Sequence, residues 1–180
     1  MATKPFTDAL TNASNPTQLT QNSTSWLKKQ ALDLNVSHPK DLVTKQSPRL
    51  VSELTVGRMY LYMYDPKMKE ELPRYDRFPL IFPFREVSGG FYGINMHYLP
   101  FMQRARLMDA LLNLVNNNNK DDTTKLLLSY QLLKSVAKVS LFAPCVKHYL
   151  NSHVKSRFLW IPANQWEKAL FLPLERFVKK

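Results

Sequence analysis

Cys145, His148 and His153 share the stretch APCVKHYLNSH, and a thiol with two imidazoles at close spacing is the chemistry of a zinc site. Zinc wants four ligands, usually with paired cysteines, but this chain has one cysteine and only His38 and His97 remain to complete the set. On a helix, Cys145 and His148 would share a face while His153 would lie more than a turn further on. A buried thiol beside two surface histidines accounts for the pattern better than a metal centre.

Carboxylates raise a second question. Asp65, Glu71 and Asp76 crowd into YDPKMKEELPRYDRFPLIFPF, residues 64–84, and acids gathered at strand ends hold the metals of phosphodiesterases. Each acid has Lys67, Lys69, Arg74 or Arg77 close by in sequence, and Asp65-Pro66 is first of all a turn signal. Ion pairing within the loop is the simpler account. No serine sits in a nucleophile elbow, and Cys145 follows Pro144 in apolar surroundings. Gly89-Gly90 lacks the Gly-Lys-Ser/Thr ending of a phosphate loop, and four glycines in the chain leave little for a nucleotide cradle. The expectation is a protein that is not an enzyme, with no cofactor, no metal and no small-molecule substrate.

Basic residues give a third candidate chemistry. Of the net charge of +11, residues 116–180 hold +7, from eleven bases against four acids. Such an excess suits an anionic partner, and phosphate backbones are the commonest. Lys134 and Lys138 are four apart on an expected helix, Lys147, Lys155 and Arg157 continue the trend, and Lys179 and Lys180 finish it. Tyr149, Phe158 and Trp160 interleave with these bases as a stacking groove would require. A solvated, Lys-rich helical surface has the same composition, and a helical period turns many of those aromatics toward the core.

The elements that must position these residues divide at residue 54. Residues 1–54 read as an extended N-terminal arm, in which residues 2–25 are dominated by Thr, Asn, Ser and Gln, broken by Pro5 and Pro16, with Phe6, Leu10 and Leu19 as apolar anchors. One short helix is expected over Ser23–Leu34, with Trp26, Leu27, Ala31 and Leu34 on one stripe. A Trp on a polar arm docks into its own domain or into a neighbouring chain, so Phe6, Leu10, Trp26 and Leu27 are candidate partner contacts.

Residues 55–180 read as one compact domain, β over 55–99 and helical over 100–180. TVGRMYLYMYD alternates Val56, Arg58, Tyr60, Tyr62 and Tyr64 with Met59, Leu61 and Met63, which predicts a strand covered on both faces. FPLIFPF is a second strand, and Gly89-Gly90 turns into a third. Pro79 and Pro83 place two missing amide donors on one side of the second strand, which predicts an edge, with Phe78 and Phe82 open to a partner. After Pro100 a helix carries Met102, Ala105, Met108, Leu112 and Val115 on one stripe and stops at Asn116–Asn119. A second helix runs from Thr124 to about Val139, a third from Pro144 towards His153, and a last helical turn lies in ANQWEKALFL. The fold class is α+β: a small antiparallel β-sheet or SH3/OB-like barrel followed by a C-terminal helical bundle. A single cysteine forbids an internal disulfide and fits a cytosolic or virion-interior setting. With neither a signal peptide nor a long apolar run, no membrane partner is expected.

Four segments, GRMYLYMYDPKMKEELPRYDRFPLIFPF, GGFYGINMHYLPFMQRARLMDALL, FAPCVKHYLNSHVKSRF and QWEKALFLPLERF, resemble a family of small virion-associated proteins of contractile-tailed, T4-like bacteriophages. The resemblance covers about two-thirds of the chain. It implies a virion component or a factor acting on packaged DNA, and brings no catalytic residues with it. The first expectation is therefore a non-enzymatic virion structural or assembly protein of the tail, baseplate hub or head-tail region, assembled in the host cytoplasm. It would meet other phage virion proteins through the arm and the β edge. The second is a DNA-binding or DNA-end-protecting protein that uses its basic C-terminal helices, with DNA as partner.

Overall fold

The alternation in MYLYMY sorts side chains onto two faces, because successive residues of a strand point to opposite sides. Met59, Leu61 and Met63 enter one apolar cluster, while Tyr60, Tyr62 and Tyr64 enter another. The computed structural model describes residues 48–72 and 75–166. Phe6, Leu10, Trp26, Leu27, His38, Arg74, Lys179 and Lys180 lie outside the described residues, as does the expected arm helix.

The described strands form one antiparallel sheet: β1 (Leu50–Val51), β2 (Met59–Leu61), β3 (Leu80–Val87), β4 (Gly90–Asn95), β5 (Val146–Leu150) and β6 (Phe158–Ile161), in the order β1-β6-β2-β3-β4-β5. With β1 at one end and β5 at the other the sheet is open, so of the two β architectures expected it is the antiparallel sheet and not the barrel. The fold is α+β. β1 pairs with β6, and it lies before the expected domain start at residue 55.

Two helices, α1 (Phe101–Val115) and α2 (Asp122–Val136), connect β4 to β5 and pack against each other. Asn116 ends α1, and Asp121 caps α2 by accepting from the Thr124 amide. Ala105, Met108, Leu111, Leu112 and Leu133 bury themselves against Leu61, Leu80, Phe82 and Ile94. Among the described residues no helix is long and apolar enough to cross a membrane.

Three expectations are corrected. The segment after Pro144 is not a helix: a 3-10 turn, Ser140–Cys145, leads into strand β5, and Asn151–His153 is another 3-10 turn. The basic residues that follow Lys138 therefore lie on a strand and a loop rather than on C-terminal helices. The reading of β3 as an edge also fails, since β3 lies between β2 and β4. Pro83 is tolerated there because the Pro83 carbonyl accepts from the Gly57 amide, so its missing N–H faces the same side, beyond the end of β2, where loop backbone has replaced a strand. The register shift between Pro83 and Arg85 relieves the ladder further. Phe82, offered as a partner contact, is fully buried and packs edge-on against Trp166 at 5.0 Å. Phe78 is half-buried against the same cluster.

The two glycines of the β3–β4 turn have different reasons. Gly89 takes φ +75, a conformation that costs other residues strain, and has open space around its Cβ position. At Gly90 a Cβ would run into the Tyr149 carbonyl of β5. Gly90→Ala is accordingly expected to cost about 1–3 kcal/mol by forcing β4 and β5 apart. In urea unfolding the loss should exceed that of Gly89→Ala; the reverse order would place the constraint in the turn instead.

Candidate nucleic-acid interface

The helix layer covers one face of the sheet; the other carries a second cluster built from aromatic rings. Tyr62 sits at its centre, edge-on to Phe158 at 5.1 Å and to Tyr149 at 5.6 Å, while Phe91 stacks on Tyr149 at 5.4 Å. Burial pushes the hydroxyls of Tyr62 and Tyr149 well above the usual phenol range, so both remain neutral. Tyr149 and Phe158 were candidates for stacking on bases, but both are buried in this cluster. Trp160 is half-buried beneath the Arg58 guanidinium, 5.3 Å from its ring centroid.

Two clefts open beside this aromatic face. The larger, about 970 Å³, has Glu53, Glu86, Phe91, Lys155, Arg157 and Phe158 among its walls. Its two acids offset its two bases. Arg157 donates to the Leu50 carbonyl at 2.5 Å, which ties the β5–β6 loop to β1, and Lys155 is exposed and donates to the Ser152 carbonyl at 3.3 Å. The smaller cleft, about 490 Å³, has Lys67, Tyr75, Tyr98, Lys147 and Tyr149 among its walls. Leu150 lines the smaller and Asn151 the larger, so the clefts flank the end of β5.

Lys147 projects from the side of β5 that carries Tyr149, and its ammonium lies 4.1 Å from the Tyr98 ring centroid. Burial lowers its pKa from the usual lysine value. On the neighbouring position His148 stacks on Tyr92 at 4.7 Å, and Arg85 covers the same tyrosine at 4.3 Å, so a cation, a phenol and an imidazole line up across β3, β4 and β5. Lys134 and Lys138 are exposed in the helix layer, on the opposite face of the sheet from Lys147 and Lys155; Lys134 lies 5.6 Å from the Tyr130 ring. The structure thus splits the basic series between two faces and brings Lys147, Lys155 and Arg157 to one of them.

The acids that suggested phosphodiester cleavage do not converge. Asp65 pairs with Lys69 at 2.9 Å, which holds its carboxyl below the usual range, and Glu71 is exposed in the loop. Asp76 is buried: Oδ2 lies 2.5 Å from His97 Nδ1 and accepts from Asn95 Nδ2 at 3.1 Å, while Oδ1 accepts from the Phe78 amide at 3.0 Å. Asn95 also donates to the Tyr149 hydroxyl at 3.0 Å, so this polar group braces the floor of the smaller cleft.

Cys145, His148 and His153 are likewise separated in role. The Cys145 thiol donates to the Phe142 carbonyl, and burial raises it to about 11. His153 bonds the Asp65 carbonyl at 2.7 Å. Among the described residues no group of three His, Cys, Asp or Glu is placed to hold a metal ion.

Lys67, Tyr75, Tyr98 and the Asp76–His97 pair were not singled out by sequence as parts of one site. The period-2 pattern of VKHYL, apolar Val146 and Leu150 around Lys147 and Tyr149, was the available signal for β5.

No curated protein and no solved structure matches the chain. A family model described as Phage T4 terminal DNA protecting protein matches residues 12–180, and with nearly the whole chain inside that match the protein belongs to this T4-like phage family.

Proposed function

We propose that this protein binds the termini of linear DNA and shields them, without catalysing a reaction, from enzymes that start at an end. Family membership over residues 12–180 is the observation that carries this reading. The net charge of +11 supports it, since a polyanion is the natural partner of such a chain. The geometry favours the sheet face around β5 as the contact surface, because Lys67, Lys147 and Lys155 gather there beside aromatic walls. Separation of Asp65, Glu71 and Asp76 favours shielding over cleavage. The protein acts in the virion, where the arm of residues 1–54 meets other virion proteins and the DNA terminus lies in the head-tail region.

Linear duplex DNA incubated with the protein and then given a processive exonuclease should survive longer than naked DNA. A competitor with many ends should abolish that protection, while the same mass of covalently closed circle should not. Unchanged degradation, or equal competition by the circle, would overturn the proposal.

A further inference from the structure

Lys147 is a cation held partly out of water with no anion beside it among the described residues. Its ammonium has the Tyr98 ring for company, and among the described residues no carboxylate forms an ion pair with it. Desolvation lowers its pKa, which is the sign of a charge whose hydration has been reduced and not replaced. Asp76 lines the same cleft, but its carboxylate is committed to His97, Asn95 and the Phe78 amide. Lys67 also lines this cleft, with its side chain exposed. A half-buried, uncompensated cation in a cavity is completed by an anion brought from outside.

The cavity also has a size and a lining. About 490 Å³ falls within the range of small-ligand sites, and the half-buried rings of Tyr75 and Tyr98 are among its walls. At a DNA terminus two features differ from the interior. A terminal phosphate is a monoester, close to doubly charged at neutral pH because its second pKa is ~6, whereas each internal diester carries one charge. The last base has one stacking neighbour and leaves the helix at lower cost than an internal base.

We infer that the cleft lined by Lys67, Tyr75, Tyr98 and Lys147 receives the terminal nucleotide of a DNA end, its phosphate monoester on Lys147 and Lys67 and its base among the Tyr98 and Tyr75 walls. This rests on the end-binding reading above and adds what the end is recognised by.

Anisotropy titrations with the full chain decide it, using a hairpin-capped duplex with one open end. That end carries a 5′-phosphate, a 3′-phosphate or hydroxyls alone, and a closed dumbbell has no end. One of the two phosphorylated ends should bind about tenfold tighter than the hydroxyl end, the effect of one or two charge-assisted hydrogen bonds. Lys147→Gln should bring phosphorylated and hydroxyl ends to the same affinity, and Lys147→Arg, which keeps the charge, should retain a difference. 2-Aminopurine in the last position should change its emission on binding, and in the fifth position should not. If open ends outcompete the dumbbell but phosphorylation and Lys147→Gln change nothing, the terminal-phosphate pocket is refuted and end binding stands. If no open end outcompetes the dumbbell, end binding itself is refuted. Unchanged emission from the last base would overturn its seat on the tyrosines.

Discussion

Affinity for a linear duplex should fall about fortyfold between 50 and 200 mM monovalent salt. Of the four cations that border the clefts of the aromatic face, Arg157 is held by the Leu50 carbonyl, which leaves Lys67, Lys147 and Lys155, and the salt bridges found among the described residues engage none of these three. Three neutralised phosphates give a slope of about −2.7 in log affinity against log salt, and a fourfold rise in salt then costs about fortyfold. Each Lys→Gln substitution in this group should flatten the slope by about 0.9. Charge reversal at Lys134 and Lys138 tests the placement, because both belong to the helix layer on the other face. If those two reversals removed the salt dependence and the cleft substitutions left it intact, DNA would lie across α2 and the proposed face would be wrong.

That contrast shows where the sequence was legible. Lys134 and Lys147 look equivalent in composition, and both were grouped with Lys138, Lys155 and Arg157 as one basic series. What separates them is the state of VKHYL. Five residues after a proline, with apolar positions at Val146 and Leu150, fit one helical turn as well as a short strand. Only the pairing of Phe91 with Tyr149 and Tyr92 with His148 settles the matter, and that pairing is a contact between segments far apart in the chain.

Elements whose signal is local were read correctly for the same reason. The alternation of MYLYMY, the Gly89-Gly90 turn and α1 after Pro100 each depend on neighbours in sequence. The reading of Pro79 and Pro83 as an edge failed because proline excludes one hydrogen bond at one point, not a neighbour along the whole strand. A partner that stops short, as β2 does at Met59, leaves room for Pro83 inside a sheet. The smaller cleft was least legible, since Lys67, Tyr98 and Lys147 are brought together by the sheet alone.

Asp76→Ala should destabilise the fold by about 2–5 kcal/mol, because several donors lose one buried acceptor and each buried group left unsatisfied costs about 1–3 kcal/mol. Three groups aim at this carboxylate: His97 Nδ1 at 2.5 Å, Asn95 Nδ2 at 3.1 Å and the Phe78 amide at 3.0 Å. Asp76, Asn95 and His97 are all buried, so water does not readily replace the lost acceptor. Asn95 keeps one bond, to Tyr149, but the His97 contact and the anchor of the chain entering β3 are lost together. Asp76→Asn should cost nearly as much, because an amide oxygen serves only part of this set while its NH₂ group faces the donors of Asn95 or His97. The measurement is urea unfolding, in which the midpoint should fall with the slope unchanged. A loss below about 1 kcal/mol would mean that the pair contributes little to the fold. The carboxylate would then have to be explained by a ligand, and the phosphodiester chemistry suggested by Asp65, Glu71 and Asp76 would regain its claim. A large loss would identify Asp76 as the brace that holds Tyr149 and the floor of the Lys147 cleft in place.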